Sequence, residues 1–221
     1  MTDMSTRDAA ERLGVSQRQV QRLAKAGSLS TIRVVGNALV VDPLSVNARR
    51  RALLGRGRPW SPAVAWGGLW LLSGLDAPWL TYSQRHRLDT RLGQISVLAF
   101  TAAVRERASV ARYRVGDSAI TETMRELGLT GASTTDTTAG FAGTTRSVDG
   151  YCASAKAAEL VSRFAMVPDS RGSATLRIPA FAELPIPSGD MPHAVVAVDL
   201  AGSSESRERD AGLRLLNALL S

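Results

Sequence analysis

The chain has 221 residues, 44% hydrophobic and 21% charged, with 27 basic side chains against 20 acidic ones and a net charge of +7. This is an ordinary globular composition, long enough for a module of about 60 residues and a larger one of about 150. No apolar run is long enough to span a bilayer, and a single cysteine, Cys152, excludes an internal disulfide and fits a reducing cytoplasm. The N-terminus lacks a signal-peptide layout, because charged residues appear at once and no hydrophobic stretch follows. The ratio of 25 arginines to 2 lysines reads as a high-GC bacterial coding bias.

The first predicted elements lie in TRDAAERLGVSQRQVQRLAK, Thr6 to Lys25, which reads as a helix-turn-helix. Ala10 suits a close helix crossing, and Gly14 falls at the sharp turn, where a positive φ is cheap only for glycine. Leu13, Val15, Val20 and Leu23 are spaced to close a small core between the helices. Ser16 is a natural N-cap, Gln19 completes a capping box, and Gly27 stops the second helix. Its outward face then carries Gln17, Arg18, Gln21, Arg22 and Lys25 with no acid among them. Glutamine and arginine are the side chains that read adenine and guanine edges in the major groove. Gln17, Arg18, Gln21 and Arg22 are therefore the candidate base readers, with Ser16 and Lys25 on phosphate. The bland alternative is a helical hairpin with a solvated basic face.

TIRVVGNALVVD, Thr31 to Asp42, follows as two β-rich runs around a Gly36-Asn37 hairpin turn. The whole first quarter resembles the winged helix-turn-helix of the MerR and excisionase type. That resemblance implies that the second helix enters the major groove while the wing touches the neighbouring backbone. Arg33 and Asn37 would then contact phosphate, although the wing tip itself has no lysine or arginine. Charge agrees: up to Trp60 there are eleven basic and four acidic residues, and beyond it sixteen of each. The entire excess sits on this module and its exit, as a polyanionic partner requires. Arg49, Arg50 and Arg51 extend it as further phosphate contacts or as a solvated basic linker.

Gly55 to Leu75 begins as a linker and becomes a helix capped by Ser61 with Pro62 in its first turn. Trp66, Leu69, Trp70 and Leu72 fall largely on one face, which reads as core or, alternatively, as a partner surface. Thr81–Gln94 reads as a second helix with Leu88 and Leu92 inward, and Ile95–Arg107 as a third. From Ala108 the rhythm changes. SVARYRV is a strand, GDSAITETMRELG a helix ending at Gly128, RSVDGYCAS a strand and AKAAELVSRFAM a helix. ATLRIP is a strand, AVVAVDL a buried strand and ESRERDAGLRLLNALL a terminal amphipathic helix. Ala132 to Thr145, rich in Thr, Gly and Ala, reads as a loop. The expected class is α+β: an N-terminal winged helix-turn-helix over 1–60, a helical connector over 61–107 and a mixed α/β domain over 108–221.

No catalytic residues are expected. The two histidines, His86 and His193, give no metal spacing with Cys152. A Cys152–His193 nucleophile pair is outweighed by a half-buried thiol and a loop histidine, and Asp199 reads as a cap for the turn after its strand. There is no Gly-rich phosphate loop, so no cofactor is expected.

Taken in order, the helix-turn-helix, GRPWS tract, Trp/Leu helix, RLDTRL helix, ARYRV strand, LTGAS, VDGYCAS, ATLRIP and VVAVDLAGSSESRERDAGLRLL resemble actinobacterial AbiEi-like antitoxins of type IV toxin–antitoxin systems. The resemblance implies an N-terminal module that represses its operon and a C-terminal domain that opposes a nucleotidyltransferase-like toxin. Because a short winged module touches few base pairs, operator DNA with repeated half-sites is the expected partner, bound by a homodimer or by cooperative monomers. The alternatives are an excisionase-like architectural factor, a free-standing effector-sensing regulator and, further off, a DNA-modifying enzyme.

Overall fold

Residues 4–13, 15–25, 29, 31–35, 38–41, 45–46, 58–134, 147–169 and 172–221 are described by the computed structural model. The class is α+β, and the chain divides into two units, Met1–Gly57 and Arg58–Ser221. In the first unit β1 (Met4–Ser5) leads into α1 (Thr6–Leu13) and α2 (Gln17–Lys25), followed by β2 (Thr31–Val35) and β3 (Ala38–Val41). The strands form an antiparallel sheet in the order β1-β3-β2, with Met4 opposite Val41 and Val35 opposite Ala38. Ala9, Val20, Leu29, Val41 and Val46 are buried in one small core that joins helices and sheet.

The second unit carries α3 (Pro62–Leu72), α4 (Tyr82–Leu92), α5 (Val97–Ala103), β4 (Ala108–Arg114), α6 (Asp117–Arg125) and β5 (Gly128–Leu129). A 3-10 turn at Gly131–Ser133 precedes β6 (Val148–Tyr151), α7 (Ser154–Arg163), β7 (Val167–Pro168), β8 (Ala174–Pro179), β9 (Gly189–Asp190), α8 (His193–Ala201) and α9 (Ser206–Leu219). Six strands pair in the order β7-β4-β8-β6-β5-β9, antiparallel except for β6–β8 and β5–β9. Because side chains alternate across a strand, β6 serves two cores. Val148 points toward Ile120 of α6 and Leu160 of α7, while Tyr151 joins Trp66, Phe100 and Val195 on the opposite side.

The helices over 61–107 therefore do not form a connector. They make one body with the strands, and the boundary falls after Gly57 rather than after Trp60. Trp60 is itself core: it packs edge-on against Phe100 at 5.8 Å, and its backbone N–H donates to Ala103 O at 2.9 Å. The Trp66–Trp70 stripe is core as well. Trp66 is fully buried, T-shaped against Tyr151 at 5.2 Å, and its indole N–H donates to the Arg107 carbonyl at 3.0 Å.

The segment expected as a buried strand, AVVAVDL, is the helix α8. Every residue from Ala194 to Leu200 is buried, so its apolar run lacks the polar face that marks a surface helix. Packing overrides the β-branched propensity of Val195, Val196 and Val198. Ala194, Ala197 and Ala201 leave room for α9 to approach closely. A Cβ at Gly212 of α9 would fall on the backbone of Ala201 and Ala197. Gly212→Ala should consequently force the two helices apart and cost about 1–3 kcal/mol in urea unfolding. Unchanged stability would show that the helices have slack at this contact.

Candidate nucleic-acid interface and the buried charge network

In the first unit the short α1–α2 turn is closed by the Val15 N–H donating to Ala10 O at 3.0 Å. Ser16 caps α2: its Oγ accepts from the Gln19 N–H at 3.2 Å. The reciprocal half of that capping box is not seen among the described residues; the Gln19 Oε1 accepts from Arg22 Nη2 at 2.7 Å. Val20 points inward, and Gln17, Arg18, Gln21, Arg22 and Lys25 of α2 are all exposed. Arg22 and Lys25 lie in its last turn, where cations interact favourably with the helix dipole. Arg33 lies in β2, where its backbone pairs with that of Val40. Asn37, Arg49, Arg50 and Arg51, together with the expected turn glycines Gly14, Gly27 and Gly36, lie outside the described residues.

Two features of this unit went unread in the sequence. Ser5 Oγ accepts from the Asp8 N–H at 3.2 Å and donates to Asp8 Oδ2 at 2.8 Å, which fixes the start of α1. The strand β1 has only two residues, too few to show an alternation. A Ser-x-x-Asp spacing ahead of Ala9-Ala10 was the available signal.

In the second unit the polar side chains converge on Asp199, which is not the turn cap that its sequence position suggests. Its side chain is completely buried on α8. Oδ1 accepts from Arg107 Nη2, from Arg177 Nη1 at 2.9 Å and from the Tyr151 hydroxyl at 3.2 Å, while Oδ2 accepts from the Thr130 hydroxyl at 2.7 Å. Arg177 also forks onto Asp149, with Nε to Oδ1 at 2.6 Å and Nη2 to Oδ2 at 2.8 Å. Signs alternate from Asp149 through Arg177 and Asp199 to Arg107, so the chain of charges is neutral. Burial pulls the Arg177 guanidinium down, but the two carboxylates outweigh it and hold it above its ordinary value. Burial pushes the Tyr151 phenol well above its usual range, so it stays a hydrogen-bond donor. A buried carboxylate with four donors is held in place.

Cys152, His193 and Asp199 do not meet. Cys152 lies in the core beneath α6 and α7, and Asp199 in the network above. His193 is exposed at the rim of an open, largely apolar cleft of about 410 Å³ lined by Trp70, Leu75, Ile186 and Met191. Among the described residues no three of His, Cys, Asp and Glu form a group able to hold a metal ion, and no helix is long and apolar enough to cross a membrane. Comparison with protein-family models, curated proteins and solved structures gave no match.

Asp199→Ala should cost about 3–5 kcal/mol in denaturant unfolding, because it leaves Arg107 and Arg177 buried without their shared carboxylate. A loss below about 1 kcal/mol, the range of exposed pairs, would mean that water replaces it. Burial pushes the Cys152 thiol up to about 11 from 9.0. Its contribution to stability is thus complete below the unfolded value and lost as pH rises through about 11. Alkylation of the native protein at neutral pH should accordingly be far slower than that of the urea-unfolded chain. Equal rates would place the thiol in solvent.

Proposed function

We propose that the chain is a sequence-specific double-stranded DNA-binding regulator whose first unit is a winged helix-turn-helix. The carrying observation is the exposed, acid-free row Gln17, Arg18, Gln21, Arg22 and Lys25 on a capped helix that Val20 fixes in a core. Side chains of these types on a helix of this length suit the major groove, where bidentate contacts to guanine and adenine discriminate bases. The antiparallel β2–β3 hairpin follows at the position of a wing. Arg33, Asn37 and Arg49–Arg51 are assigned to phosphate, and the concentration of net positive charge before Trp60 supplies the long-range attraction.

We further propose that the regulator is the AbiEi-like antitoxin of a toxin–antitoxin operon, repressing its own promoter and opposing a nucleotidyltransferase-like toxin. The resemblance that runs along the chain supports this reading. The size of the second unit, Arg58–Ser221, weighs against an excisionase-like architectural factor, which needs little more than one small domain.

The test is fluorescence anisotropy of the full chain on duplexes from its own upstream region and on random duplexes, across a salt series. Arg18→Ala or Gln21→Ala should each cost about 1–3 kcal/mol on the preferred site and relax specificity at one base pair. Lys25→Ala should weaken all duplexes alike and flatten the salt slope. Absence of salt-dependent binding to any duplex would overturn the DNA reading. Co-expression with an adjacent nucleotidyltransferase should rescue growth, and a chain lacking residues 58–221 should not. Rescue by that shortened chain would refute the division of labour.

A further inference from the structure

Of the side chains in the exposed row of α2, one is held in place and the others are not. Arg22 Nη2 donates to Gln19 Oε1 at 2.7 Å, three residues back on the same helix, a spacing at which side chains meet. Among the described residues the side chains of Gln17, Arg18, Gln21 and Lys25 make no hydrogen bond or ion pair. Gln19 is suited to be the holder. It is half-buried, and its backbone N–H donates to Ser16 Oγ at 3.2 Å, so its side chain extends from the capped first turn of α2. The bond occupies one of the five N–H groups of the guanidinium and leaves four for a partner.

A guanidinium oriented before binding loses less rotamer freedom when it engages O6 and N7 of guanine. A side chain that swings freely also reaches phosphate, a contact that carries no sequence information. We propose that Arg22 is the main sequence determinant of the row, reading one guanine, and that Gln19 is a positioning residue that aims it without touching DNA. This rests on the DNA reading of α2. If the bond instead withheld Arg22 from the groove, removing it would sharpen discrimination rather than blunt it.

The experiment is fluorescence anisotropy of the full chain on its preferred duplex and on a panel carrying each single base-pair replacement. A salt series and a urea midpoint accompany each variant. Arg22→Ala should abolish discrimination at one G·C pair. Gln19→Ala should lower discrimination at that same pair by about threefold to tenfold, with the salt slope unchanged because no charge is removed. Its urea midpoint should stay that of the parent, since the Ser16 cap uses the backbone N–H that alanine keeps. Gln19→Met, similar in length but without a strong acceptor, is the substitute if alanine perturbs the fold. In an Arg22→Ala chain, Gln19→Ala should have no further effect. Gln19→Glu keeps an acceptor, so discrimination at the pair should return while the added negative charge weakens binding to all duplexes alike. The proposal is overturned if Gln19→Ala relaxes no pair, relaxes a different one, sharpens the first or acts equally without Arg22. It is overturned equally if Arg22→Ala leaves every pair discriminated as before. Those results leave DNA binding by the parent chain standing. A parent chain without salt-dependent binding to any duplex defeats the DNA reading, and this proposal with it.

Discussion

The second unit depends on one carboxylate. Asp199 sits on a helix with no polar face, and a charge so placed is tolerable only if every lone pair is used. Its donors come from four separate places: the α5–β4 junction at Arg107, the end of β5 at Thr130, β6 at Tyr151 and β8 at Arg177. Helix α8 is thereby held at one height and one rotation above the sheet. The surrounding aromatic packing is tied to the same point, since Trp66 binds the Arg107 carbonyl and stacks edge-on against Tyr151. An apolar residue at 199 would leave α8 free to slide; the carboxylate gives it one register.

The two units use arginine in opposite ways. In the first, Arg18 and Arg22 stand in solvent on a helix whose apolar side is already satisfied. In the second, Arg107 and Arg177 are drawn inside and neutralised. The difference matches the charge balance of the sequence, with the excess lying before Trp60 and near neutrality after it. Exposed charge is available to a polyanion, whereas buried charge fixes a fold.

What could be read from the sequence divides along the same line. The α1–α2 hairpin and its exposed row were legible because turn, cap and core lie within twenty residues and follow local rules. Most strands and helices of the second unit were legible for the same reason. The identity of α8 was not, because a fully buried helix and a fully buried strand look alike when the apolar run is short. The network was not legible either: Asp199 finds its partners 92, 69, 48 and 22 residues back along the chain. One signal was present, a lone aspartate inside an apolar run, which demands a buried cation somewhere. Reading it as a turn cap followed directly from reading the helix as a strand.

The position of Asp199 also sets an order of events during synthesis. The strands and helices of the first unit lie before residue 58, so its contacts are all available early. Arg107 and Arg177 leave the ribosome before the carboxylate they share, and Gly212, against which α8 closes, follows later still. The sheet can align its strands in the interval, but the layer above it has no fixed place until the last two helices arrive. Folding of the larger unit is thus gated from its C-terminal side by contacts of long sequence separation, while the smaller one is free to finish first.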